Sequence, residues 1–219
     1  MKTIAELVQV ELNRYPFLME ALQEGLINVS ALARSLQPTV SQAAGREVKE
    51  GAIVMAVNRL PVGGGHFMLR EIRAFARQLT DIRVRSNLLD YTYLNSDSLI
   101  RAQAQLLAVV SERPKTFCTY SQGVAETTIV ISSGFETIME ELFQGETLTD
   151  LTRNLSAVSL MLPETNRQLY GIYYYILKDL AWQGINVVEL ISTSNEFTII
   201  VADKDLDQTF SILVNMRKV

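Results

Sequence analysis

Gly184–Val201 reads GINVVELISTSNEFTIIV. Two apolar, partly alternating runs flank a short polar turn, the pattern of an antiparallel hairpin with one buried face. Upstream, Ile172, Ile176 and Leu180 recur at helical spacing, and before them LSAVSLML (155–162) is a strand-like run. Downstream, DLDQTFSILV (205–214) has the period of a closing helix. The order is strand, helix, strand, strand, helix.

The same order occurs earlier in the chain. ETTIVIS (126–132) and EFTIIVA (196–202) align without gaps at a spacing of 70. At nearly the same spacing NLLDYTYL (87–94) lies against LSAVSLML, PKTFCTY (114–120) against INVVELI (185–191), and GFETIMEELF (134–143) against DLDQTFSILV. A βαββα unit is duplicated. Each copy, about 65 residues, is small for a stable core of its own, so the two are expected to pack together.

The second copy resembles the regulatory ACT domain at the C-terminus of aspartate kinases, most closely through GINVVELISTS and NEFTIIV. The resemblance covers roughly the last 130 residues and reaches the first copy only through the repeat. Family members have a loop after the first strand that ends in Pro-Gly; here Gly171 matches and Tyr170 stands for the proline. The resemblance implies a ferredoxin-like fold, copies paired side by side into one broad sheet, a homodimer or larger homo-oligomer, and an amino acid or similar small effector at the paired interface. The kinase half has no counterpart. GGGH (63–66) is not a phosphate loop, and 85 mostly helical residues cannot hold an amino-acid kinase domain.

The first 60 residues read as short helices. Ile4, Leu7, Val8 and Leu12 form a stripe ended by Pro16, and Asn28 is an N-cap for a helix burying Leu32, Ala33 and Leu36. That helix is expected to stop at Pro38, with a separate short turn or helix closed by Gly45. Ile53, Val54, Val57 and Leu60 then share one face of a helix ending at Pro61. The size matches a helix-turn-helix unit, and SALAR (30–34) gives a faint resemblance to winged-helix DNA-binding domains. That resemblance makes Lys49–Arg59 the recognition helix, with Lys49, Glu50, Met55, Asn58 and Arg59 outward. Arg70, Arg73 and Arg77 share a face of the next helix, and Arg83 and Arg85 extend the basic run. Lys49, Asn58, Arg59, Arg70 and Arg73 are therefore the DNA-contact candidates, although two bases and one acid on the recognition helix make a thin footprint.

The expected organisation is α+β: a helical, winged-helix-like domain over 1–61, a Gly-rich linker and basic helix over 62–85, and two ferredoxin-like, ACT-like domains over 86–148 and 149–219. Charge follows this division. Residues 1–85 carry 11 Lys and Arg against 8 Asp and Glu, a net +3, and residues 86–219 carry 9 against 16, a net −7. No apolar run is long enough to span a bilayer and the start lacks a signal-peptide core, so a cytoplasmic protein is expected. One Cys and one His exclude an internal disulfide and the usual zinc sets, and no cofactor is called for. His66 reads as a linker residue, Cys118 as a small core residue, and Glu140 with Glu141 as a solvated face. With no recognisable acid, base or nucleophile constellation, the chain is expected not to be an enzyme.

LPETNRQLYGIYYYIL (Leu162–Leu177) is where a ligand would sit. A solvated strand-to-helix corner also accounts for it. The helix N-terminus, however, offers free amides and a positive dipole end to a carboxylate, and glycine permits close approach. With the resemblance, Gly171 and its adjacent amides would hold the effector carboxylate and Glu164 or Asn166 its amino group. Ser192 and Ser194 would come from the second strand of a copy across the pair, and Asn186 completes the candidate set. Tyr173, Tyr174 and Tyr175 cannot all face the sheet, and an interface role for the outward ones is favoured over stacking on a ligand. Two outputs stay open: a ligand-responsive transcriptional regulator, or a protein-binding regulatory subunit of an enzyme of amino-acid metabolism.

Overall fold

The computed structural model describes residues 2–60, 71–79 and 81–218. Gly63 to Gly65, His66 and Arg70, and with them the linker reading, lie outside the described residues. The chain divides into two compact units, Met1–Ile72 and Arg73–Val219.

The first unit holds α1 (Ile4–Leu12), α2 (Pro16–Gln23), α3 (Val29–Ala44) and α4 (Glu50–Asn58). Its core joins Leu7, Val8 and Leu12 of α1 to Leu32, Leu36 and Val40 of α3 and Ile53 of α4. Asn28 caps α3 by accepting from the Ala31 amide at 3.0 Å. Contrary to the expected stop, α3 runs through Pro38 to Gly45, whose φ of 65° closes it. Pro38 is exposed while Leu36 and Val40 are buried, so the apolar stripe carries the helix past a missing amide. The described residues of this unit contain no strand, and the stretch after α4, where a wing would follow a recognition helix, lies outside the described residues.

Residues 71–76 form a short helix, α5, at the division between units. Beyond it come β1 (Ile82–Leu94), α6 (Leu99–Ser111), β2 (Cys118–Gln122), β3 (Glu126–Ser132), α7 (Glu136–Leu142), β4 (Leu148–Met161), α8 (Ile172–Trp182), β5 (Val187–Ser192), β6 (Glu196–Ala202) and α9 (Leu206–Asn215). The strand–helix–strand–strand–helix order thus occurs twice. Arg83 and Arg85, expected to extend a basic helix run, lie on β1.

The six strands form one antiparallel sheet in the order β2-β3-β1-β4-β6-β5. Both long central strands are two strands laid end to end. β3 pairs only with Leu88–Leu94 of β1, and β6 only with Leu155–Met161 of β4. The other halves pair across the centre, Ile82–Arg85 with Ala157–Leu160 and Leu88–Tyr93 with Leu148–Leu155. The front of β4 therefore completes the first repeat as a fourth strand, and the front of β1 completes the second, giving the βαββαβ set twice.

The halves of each long strand meet at Asn87 and Asn154, both left-handed with φ of 59°. Each is followed by a leucine, and Leu88 faces Leu155 across the junction. Asn87 and Asn154 are 67 residues apart, so setting NLLDYTYL against LSAVSLML is off by one; NLLDYTYL matches NLSAVSLM. The slip matters because one residue exchanges the two faces of a strand.

On one face Leu89, Tyr91 and Tyr93 of β1 and Ile129 and Ile131 of β3 pack with Leu99 and Leu106 of α6 and Met139 of α7. Cys118 packs half-buried at this cluster's margin, as a small core residue should, and burial pushes its thiol up to about 11. On the other face Leu88, Val130, Leu155, Ala157 and Ile200 form a cluster shared with Phe117, Val188 and Ile191. Phe117 precedes β2 and the latter two belong to β5, at opposite margins of the sheet. One cluster reached from both margins means that the sheet curls toward this face.

Candidate functional site

The second repeat's corner departs from β4 at Leu162, whose amide donates to the Asn195 carbonyl at 2.7 Å. Pro163 supplies no donor to prolong the ladder, and Glu164–Gln168 turn as a short 3-10 helix. Gly171, at φ 88°, then starts α8 in a conformation that a side chain would strain. No side chain caps α8. Among the described residues the Ile172 and Tyr173 amides meet no acceptor.

Two clasps tie this corner to the β5–β6 hairpin. Asn166 Nδ2 donates to the Ser194 carbonyl at 2.7 Å, and the Tyr173 hydroxyl shares a hydrogen bond with Ser192 Oγ at 2.9 Å. The Tyr173 ring lies on Phe197, centroids 4.7 Å apart. Between corner and hairpin opens a cleft of about 630 Å³, a volume ordinary for a small ligand. Leu162, Leu169 and Ile172 supply its apolar wall.

The structure brings Asn166, Gly171, Ser192 and Ser194 together along this cleft. Glu164 and Asn186 are exposed and outside its lining. The 3-10 turn directs Glu164 elsewhere, and Asn186 follows the far end of α8. Within this one chain Ser192 and Ser194 reach the cleft from the same repeat that supplies Gly171. Tyr175 is buried, Tyr174 is exposed beside Lys178, and Tyr173 walls the cleft. That last placement has no sign in the sequence beyond its position two residues after Gly171.

The first repeat closes the equivalent corner on itself. Ser96 Oγ accepts from the Leu99 amide at 3.0 Å and donates to Glu146, which caps α6. Asn95 donates to the Gly123 carbonyl at 3.0 Å and accepts from Thr127 at 2.6 Å. Where the second repeat leaves a helix end open, the first fills it with its own hydroxyl.

A further group escaped sequence reasoning. Asp90, on β1, is buried, and its Oδ1 has no partner among the described residues. Burial, then the nearby Glu189 and Asp150 carboxylates, push its carboxyl up to about 7. Glu189, on β5, is also raised, chiefly by burial. Nothing in NLLDYTYL distinguishes a core carboxyl from a solvated one.

No family model and no curated protein matches the sequence. Solved structures do. The sheet unit has the fold of aspartate kinase regulatory domains. The allosteric aspartate kinase of Clostridium acetobutylicum superposes with a TM-score of 0.52 at 15% identity, covering 63% of this chain and 34% of that one. The regulatory subunit of Thermus thermophilus aspartate kinase, in ligand-free form, gives 0.51 at 10% identity, covering 63% and 97%. That of Thermus flavus gives 0.51 at 11%, again covering 63% and 97%. The chain thus spans about a third of the Clostridium enzyme and nearly the whole of the Thermus subunits, which are regulatory alone.

The described DNA-contact candidates belong to both units. Lys49 precedes α4, Asn58 and Arg59 end it, and all three are exposed. Arg73 is half-buried on α5, and Arg70 lies outside the described residues. Glu50 is engaged by Arg34 at 3.3 Å. Among the described residues no helix is long and apolar enough to cross a membrane, and no cluster of His, Cys, Asp and Glu could hold a metal.

Proposed function

We propose that this chain is a regulatory module without a catalytic site of its own, sensing an amino acid in the cleft of its second repeat. The observation that carries the reading is the uncapped first turn of α8 behind the left-handed Gly171, opening on a cleft walled by the β5–β6 hairpin. A carboxylate at that turn would accept from the Ile172 and Tyr173 amides at the positive end of the helix. A ligand that prefers one arrangement of corner and hairpin shifts the population toward it, and no bond need be made or broken. The first repeat, with α6 capped by Ser96, serves as scaffold, so one ligand binds per chain.

The test is a thermal-shift screen of the full chain against the amino acids. A true effector at 100 times its Kd adds about 2.7 kcal/mol, and equilibrium dialysis should saturate at one per chain. Gly171→Val, which strains the turn and fills the approach, should abolish the shift. Absence of any stabilising amino acid overturns the reading.

The helical unit would deliver the output. Met55 is 53% exposed midway along α4, between Lys49 and Arg59. An apolar side chain there favours contact with a protein over a DNA groove, where polar groups would read base edges. Binding to duplex DNA that falls steeply with salt would reverse that preference.

A further inference from the structure

We infer that the effector is an amino acid with a short, uncharged side chain, and that Tyr173 sets the length limit; this rests on the effector reading of the cleft. Every Asp and Glu of the chain has a described position, and none lines the cleft. A lysine or arginine ligand would bring a second positive charge toward the positive end of α8 with no carboxylate to meet it. A dicarboxylic amino acid would bring two anions to one helix terminus. Among the described residues the cleft presents, beyond the open amides, the apolar wall of Leu162, Leu169 and Ile172 and the uncharged side chains of Asn166, Ser192 and Thr193. Asn166 spends its Nδ2 on the Ser194 carbonyl, which leaves Oδ1 to accept from the ligand's α-ammonium. Tyr173 spans from α8 to β5 through Ser192 and is braced on Phe197, so its ring is a fixed wall of the cleft against which a long side chain would have to fit.

Titration calorimetry on the full chain with serine, threonine, valine, methionine, lysine, arginine, aspartate and glutamate tests this. One of the first three should bind at least about tenfold more tightly than every charged amino acid, because a charge left unpaired in the cleft is costly. Lysine, arginine or a dicarboxylate binding within that margin, at a site that Gly171→Val abolishes, overturns the charge rule while the effector reading stands. Methionine binding most tightly to the unaltered chain overturns the length limit. If none of the twenty amino acids binds, both readings fall together. Tyr173→Ala should shift the methionine-to-valine affinity ratio toward methionine by about tenfold, and an unchanged ratio also overturns the length limit. Asn166→Ala should weaken the preferred ligand about tenfold; unchanged affinity places the ligand elsewhere and overturns the assignment.

Discussion

Asp90 shows how one side chain can set the pH response of a sheet. Its folded-state value near 7 lies well above the ordinary aspartate range, so the fold favours the protonated form. Its contribution to stability is complete below about pH 4, is lost as pH rises toward 7, and levels off above that. Midpoints of thermal unfolding measured from pH 4 to 8 should fall with pH over this window, and Asp90→Asn should flatten the slope. Asn87 and Asn154 act through the backbone instead. Asn154→Gly should be tolerated at φ 59°, whereas Asn154→Val places a β-branched residue in the left-handed region and should cost about 1–2 kcal/mol in denaturant unfolding. Neither role is visible in composition. A lone Asp in an apolar strand and an Asn-Leu pair become informative only when the strand halves on either side are known to have different partners.

Helices and strands were legible where a periodic apolar face decided them. The faces of α1 and α4 follow from spacing alone, and so does the βαββα order in both repeats. Pro38 misleads because it is a local breaker, whereas the apolar stripe continues past it through Val40. Pro38 is exposed and sits inside α3, so Pro38→Ala should lose no packing, restore one backbone hydrogen bond, and raise the stability of the helical unit by about 1–2 kcal/mol in chemical unfolding. The cleft was half legible. Gly171 announced a strained turn and the polar corner a departure from the strand, so four of its residues could be named. Glu164 and Asn186 fell outside because a 3-10 turn and a helix end set directions that spacing does not encode. Helical geometry says that Tyr173, Tyr174 and Tyr175 diverge but not which of them meets the β5–β6 hairpin.

The largest pairing in the molecule is β1 with β4, and it makes the repeats inseparable. Each lacks its fourth strand without the other. Residues 149–219 expressed alone should be unfolded or self-associated through the bared edge of β4, as read by circular dichroism and size-exclusion chromatography. A monomer with hydrogen-exchange protection along β4 would contradict the shared-strand architecture.

The approximate two-fold axis between Leu88 and Leu155 relates the halves of one polypeptide as an axis would relate the subunits of a dimer. Assembly of that pair cannot be diluted away, because the tether holds each half at a high effective concentration around the other whatever the amount of protein present. A symmetric pair of separate chains would have to alter both corners at once. The fused pair escapes that constraint: one corner could close over a serine and become structural while the other stayed open, giving a single receptor inside a two-fold frame.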